Sequence, residues 1–194
     1  MNKRRFLVAG ALGAALQGQA RTADPGARTG TGLLTVTGAI ARRNRGPLDP
    51  ALDQLLVKHG AKFERAWEFD AAMLARLPNV TLQPTLEYDA KTHRLRGPLL
   101  SSVVEAAGVS SSAQVMLALR ALDGYTVAVS LADARSYRMI VATTLDGVPM
   151  NVGGLGPLWA VYDADRLPAF KDKPLKERFA LCPWGLYFIE VKAL

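Results

Sequence analysis

Gly147–Tyr162 reads GVPMNVGGLGPLWAVY. The strand-like run Met139–Thr144 leads into an Asp146-Gly147 turn, then Gly153-Gly154-Leu155-Gly156-Pro157, then an apolar strand carrying Trp159. Glycines allow a backbone to approach a ligand or another strand where a Cβ would clash. Trp159 offers a large flat surface that needs a partner. Taken alone, the stretch is a β-hairpin with a glycine-rich loop, because such a loop is weak evidence of a ligand.

The neighbouring segments are strand-dominated. Gln114–Leu122 and Tyr125–Ser130 flank Asp123-Gly124, a hairpin signal whose acidic residue suits a type I′ turn. Ser130 caps a short helix over Leu131–Ala134, a helix is expected near Leu175–Phe179, and Tyr187–Val191 is a final strand. Further toward the N-terminus, Leu33–Ala39 alternates like a strand. A helix starts at Asp49 or Pro50, carries Leu52, Leu55 and Leu56, and ends before Gly60. Trp67–Phe69 is a short strand, and Asp70 is the N-cap of a helix over Ala71–Leu77 that Pro78 stops. Val80–Glu87, interrupted by Pro84, is an edge or bulged strand paired with Thr92–Arg96. Gly97-Pro98 opens a helix that Gly108 closes. Strands joined by short helices, with no repeated βαβ unit, predict an α+β domain of mixed β-sheets.

Residues 1–20 have the pattern of a signal peptide. Lys3, Arg4 and Arg5 precede an apolar run, Phe6–Leu16, and Gly18-Gln19-Ala20 ends as a cleavage site. The run is shorter than the roughly 20 residues of a bilayer span. Asn2–Leu7 is close to a twin-arginine consensus with Lys3 in place of the first arginine, and an ordinary secretion signal fits equally. Either route predicts export, to the periplasm, of a chain that starts near Arg21 and has no transmembrane segment. Arg21–Gly32 is expected to be a disordered lead-in, and residues 33–194 a single domain.

The formal net charge of +7 falls to +4 once the three basic residues of the signal are removed. Arg42-Arg43-Asn44-Arg45 has no interleaved aromatics, so a solvated loop is favoured over a nucleic-acid site. A single cysteine, Cys182, and two distant histidines, His59 and His93, provide neither a disulfide, nor a zinc cluster, nor a recognisable hydrolase triad. No catalytic or metal-ligating residues are assigned.

The ordered set LLTVTGAI, FDAAMLARLP, LRGPLLSSVVEAAGV, ALDGYTVAVSLADARSY, MIVATTLDGVPMNVGGLGPLWAVY and IEV resembles the oxidoreductase molybdopterin-binding domain, the sulfite-oxidase-type fold. The resemblance is to its short exported form and covers roughly Leu33 to Val191. The family's enzymes hold molybdenum through the pterin dithiolene and one cysteine, which follows the strand matching Val80-Thr81-Leu82-Gln83. Here Pro84-Thr85-Leu86 follows, with no thiol, and Cys182 does not match the motif. Molybdenum favours a soft thiolate at that place, which Thr85 does not supply. The segment Arg42–Ala66 is an insertion relative to the short form: a lid, a partner surface or decoration.

The resemblance therefore implies a pterin or molybdopterin ligand without bound molybdenum. A pterin site needs a stacking face, groups for its hydrogen-bonding edge and cations for any phosphate. Trp159 and Tyr125 are the stacking candidates. Gly153, Gly154 and Gly156 would line the edge, Asp123 would accept from ring N–H groups, and Arg120 and Arg135, with Arg138, are the nearest cations. Each has a structural alternative: Trp159 as core, Tyr125 and Asp123 as hairpin residues, the arginines as surface charges. Some exported family members lacking the cysteine are pterin-sensing partners of membrane signalling proteins, including cyclic-di-GMP enzymes. The expected function is non-catalytic pterin binding in such a partnership. A molybdenum-cofactor oxidoreductase, or a subunit of one, is the alternative.

Overall fold

A computed structural model describes residues 29–194. The expected signal segment and residues 21–28 of the expected lead-in lie outside the described residues. The chain runs β1 (Leu34–Gly38), α1 (Gln54–Lys58), β2 (Ala66–Phe69), α2 (Ala71–Arg76), β3 (Asn79–Leu82), β4 (Leu95–Pro98) and α3 (Leu100–Ala106). It continues through β5 (Val115–Ala121), β6 (Thr126–Ser130), α4 (Leu131–Ser136), β7 (Ile140–Ala142), β8 (Thr144–Leu145), β9 (Val148–Pro149), β10 (Trp159–Val161) and β11 (Leu186–Ala193), with 3₁₀ turns at Ala164–Arg166 and Leu175–Glu177. The result is an α+β architecture of several sheets with a few short helices.

One sheet has the order β2-β1-β11-β5-β6, a second β3-β4-β8-β9, and β7 and β10 form an antiparallel pair. Only β1 and β11 pair in parallel, Thr35 opposite Phe188; the other ladders are antiparallel. Alternation of apolar and small residues sends Val115, Leu117, Leu119 and Ala121 of β5 inward. Val115, Leu117 and Leu119 share one core with Leu34, Val36, Ile189, Val191, and Leu100, Val103 and Val104 of α3.

Local signals place several of these elements as expected. The Asp70 carboxylate caps α2, accepting from the Met73 N–H at 2.7 Å, and Ser130 Oγ accepts from the Asp133 N–H at 2.9 Å. Asp70 also accepts from the N–H groups of Thr29 and Gly30, each at 2.9 Å. These bonds, the Met73 N–H first, hold the Asp70 carboxyl below the usual carboxylate range.

Two expectations need correction. Gly97-Pro98 does not open a helix but ends β4, and α3 begins at Leu100. A Cβ on Gly97 would lie 1.9 Å from the Val141 carbonyl oxygen, so the glycine is required by the close passage of β4 over β7. The hairpin at Asp123-Gly124 is not a two-residue type I′ turn. Ala121 N–H donates to Tyr125 O, Gly124 N–H donates to Ala121 O, and Gly124 takes φ +93°. That is a three-residue loop with a glycine bulge.

The segment Arg42–Ala66 covers the sheet edge. Asn44 Nδ2 donates to Glu68 O while Asn44 Oδ1 accepts from Glu68 N–H, and Arg45 exchanges backbone hydrogen bonds with Ala66. The outward backbone groups of β2 are thus satisfied. The Arg45 guanidinium pairs with both Asp53 and Glu68, anchoring the segment. Of the leucines expected on the inner face of the helix here, only Leu56 is buried.

A surface clamp joins the two strands' loops beyond β3 and β8. His93 Nδ1 lies 2.7 Å from Asp146 Oδ2, and Nε2 lies 3.0 Å from Asp89 Oδ2. Bonding to Asp146, then to Asp89, raises the imidazole pKa. Asp89 is lowered by His93 first, and Asp146 by the Arg94 N–H and then by His93. A raised histidine contributes stability that is complete below its unfolded value of about 6.5 and is lost as pH rises through the native value. The lowered carboxylates lose theirs as pH falls through their native values. His93→Gln is therefore expected to remove a stability difference confined to the interval between those limits, measured as urea midpoints against pH. A difference of equal size at pH 9 would contradict the clamp.

Candidate functional site

A cavity of about 380 Å³ opens where three segments meet. The end of β3 and the following turn supply Thr81, Leu82 and Gln83; the end of α4 supplies Ser136, Tyr137 and Arg138; the exit of β10 supplies Asp163, Arg166 and Leu167.

Asp163 follows four fully buried residues, Trp159 to Tyr162, and is itself buried. Its Oδ2 lies 3.4 Å from Arg166 Nε, whose side chain is largely in solvent. Its Oδ1 is buried without a hydrogen-bond partner among the described residues. An unsatisfied buried carboxylate oxygen is costly and calls for a reason. Beside it, Arg138 stands at φ +50°, the left-handed position that ends α4. Glycine or asparagine usually occupies that position, so a bulky cationic side chain is held there at a conformational cost.

Tyr137 is the aromatic residue of the lining. Its ring meets Tyr162 edge-on at 5.6 Å and Phe170 edge-on at 5.2 Å, while Tyr162 and Phe170 stack at 4.5 Å. The walls are also tied together. Thr85 N–H donates to Asp165 Oδ2 at 2.7 Å, and Arg178 pairs with Asp165 Oδ1 at 2.9 Å. Asp165 thereby holds the β3 exit against the turn that carries Asp163 and Arg166.

The residues singled out from sequence do not converge here. Trp159 is fully buried, its indole N–H donating to Cys182 O at 2.9 Å, so it presents no free face for a ligand. Tyr125 donates its hydroxyl to Ala180 O, and Asp123 accepts from Tyr125 N–H within the turn. Arg120 donates to His59 O and sits over the Phe188 ring. Arg135 pairs with Glu105 at 2.9 Å. Gly153 and Gly154 are in the exposed loop, whereas Gly156 is buried against Met150, where a Cβ would lie 2.4 Å from the Met150 carbonyl oxygen. Among the cations named from sequence, Arg138 alone lines the cavity; Asp163, Tyr137 and Arg166 escaped notice. The acidic residue directly after a continuous apolar strand was the available signal.

The donor set does not fit a molybdenum centre. The cavity wall has no thiol, and Cys182 is buried, with burial pushing its thiol up to about 12. Among the described residues no group of three or more His, Cys, Asp or Glu side chains could hold a metal ion, and no helix is long and apolar enough to cross a membrane. A pterin fits better: a carboxylate matches its paired amino and ring N–H donors, and Tyr137 offers a flat neighbour. Compared with protein-family models and with curated proteins, the chain matches none.

Proposed function

We propose that this chain binds a pterin, or a fused heterocycle with the same donor edge, in the Gln83–Tyr137–Asp163 cavity, without catalysing a reaction on it. The observation that carries the reading is the buried Asp163 carboxylate in the cavity lining, whose Oδ1 has no hydrogen-bond partner among the described residues and would be reached by a ligand once the carboxylate turns about its Cβ–Cγ bond. A pterin presents its 2-amino group and N3–H side by side, and a carboxylate accepts both in one plane. Gln83 and Arg138 also line the cavity and supply donors for a ring carbonyl or an anionic tail. The volume falls in the range of small-ligand sites. The sulfite-oxidase-type fold and a role as ligand-dependent partner of a membrane signalling protein belong to the same proposal and rest on the sequence resemblance, while export to the periplasm rests on the signal-like pattern of residues 1–20.

The test is calorimetric titration with 6-hydroxymethylpterin in oxidised and reduced forms. Asp163→Ala is expected to weaken binding by about 10- to 100-fold, the worth of hydrogen bonds to a charged group. The same substitution is expected to leave the unfolding midpoint unchanged or higher, because it removes an unsatisfied buried carboxylate. No binding to the unaltered chain at millimolar pterin would overturn the proposal, as would equal affinity of Asp163→Ala.

A further inference from the structure

The two edges of the five-stranded sheet are treated differently. At β2 the segment Arg42–Ala66 takes up the outward backbone groups through Asn44 and Arg45. At β6 the ladder ends: its only strand partner among the described residues is β5. The hydrogen bond from Ala121 N–H to Tyr125 O fixes the phase of that ladder. With Arg120 opposite Thr126 and Ala118 opposite Ala128, alternation turns Val127 and Val129 toward β5 and the backbone groups of Thr126 and Ala128 outward.

Sheet edges are commonly protected by lysine, proline, a bulge or a covering loop. Thr126-Val127-Ala128-Val129-Ser130 contains no lysine, proline or bulge, and among the described residues no further strand pairs with it. It is also self-complementary about Ala128, since reversing TVAVS exchanges Thr with Ser and Val with Val. The solvent-facing side chains are small, Thr126 and Ala128 among them, whereas the valines already face the core. The strand's own side chains therefore leave its edge open to an antiparallel copy. We infer that two copies of this chain associate edge to edge through β6, on a two-fold axis at Ala128.

In that pairing Ala128 meets its symmetry mate and exchanges both backbone hydrogen bonds with it, while Thr126 faces Ser130 of the second copy. Val127 meets Val129 in the intervening positions, extending the core layer across the axis. The contact is isologous, so it closes at two copies rather than building a filament. Five-residue strands bury little area, which places the complex at the weak end of specific interfaces, with a dissociation constant of roughly 10–100 μM.

Sedimentation equilibrium of the purified full chain tests the inference. The expected result is a monomer–dimer equilibrium in that concentration range. Ala128→Pro deletes an outward N–H that β5 does not use, and Ala128→Lys sets two like charges at the axis. Each is expected to weaken association at least tenfold with an unchanged circular dichroism spectrum. Ala128→Cys is expected to give a disulfide-linked dimer on a non-reducing gel, because hydrogen-bonded partners stand at about 5.5 Å, within disulfide reach. An unaltered chain that stays monomeric at 500 μM would overturn the inference. A dimer indifferent to both Pro and Lys, with no cross-link through Cys, would overturn it as well.

Discussion

Trp159→Ala is expected to lower the free energy of unfolding by about 3–5 kcal/mol, the range for truncating a buried tryptophan. The thermal midpoint should fall by roughly 6–20 °C for a domain of this size. The side chain is fully buried, with Phe179 at 6.2 Å and Tyr88 at 6.4 Å between ring centroids. Its removal leaves a cavity and deprives the Cys182 carbonyl of its donor. Urea denaturation measures the loss. Pterin affinity, compared at a temperature where both proteins remain folded, should change less than twofold. A variant within 1 kcal/mol of the parent but unable to bind would return Trp159 to the role its sequence context suggests.

Gly97→Ala is expected to cost upwards of about 3 kcal/mol, at or beyond the usual range for overpacking. The added methyl would meet the backbone of Val141 and Ala142, with the Val141 carbonyl oxygen at 1.9 Å. These atoms are all backbone, so no flexible side chain is there to move aside. The sequence reading of Gly97 as a helix start predicts the reverse, since alanine in the first turn is neutral or favourable. Urea midpoints of this single variant separate the two accounts.

Local rules were legible in the sequence. Asp70 and Ser130 are recognisable as caps because the donors they accept from lie three residues ahead, whereas the strand expected over Val80–Glu87 stops at Leu82, two residues short of Pro84. The α+β class follows from the same short-range patterns. What sequence did not reveal depends on approaches between distant segments. Gly97 is constrained by β7, forty residues on, and no feature of LRGPLL announces that neighbour. Glycine before an apolar run fits a helix start and a crowded strand equally well. Trp159 lies in a strand buried on both sides, where alternation gives no indication of which face is free.

The candidate site was hidden for a related reason. It collects Gln83, Tyr137, Arg138 and Asp163 from three separate segments, and none of them belongs to a contiguous motif. The glycine-rich stretch drew attention because it is unusual, yet Gly156 is there to let one piece of backbone pass Met150. Arg138 carried a subtler signal. The residue that ends α4 in the left-handed region is neither glycine nor asparagine, but that is visible only once the helix boundary is known.

The placement of β11 has a consequence for how the chain acquires its structure. It lies between β1 and β5, parallel to one and antiparallel to the other, and joins the antiparallel pair β1–β2 to the β5–β6 hairpin. Until β11 is inserted, each unit exposes a naked inner margin, and the sequence separation that must be spanned makes closure slow relative to hairpin formation. A nascent chain stalled before Leu186 therefore displays two sticky half-sheets, the species most in need of a chaperone.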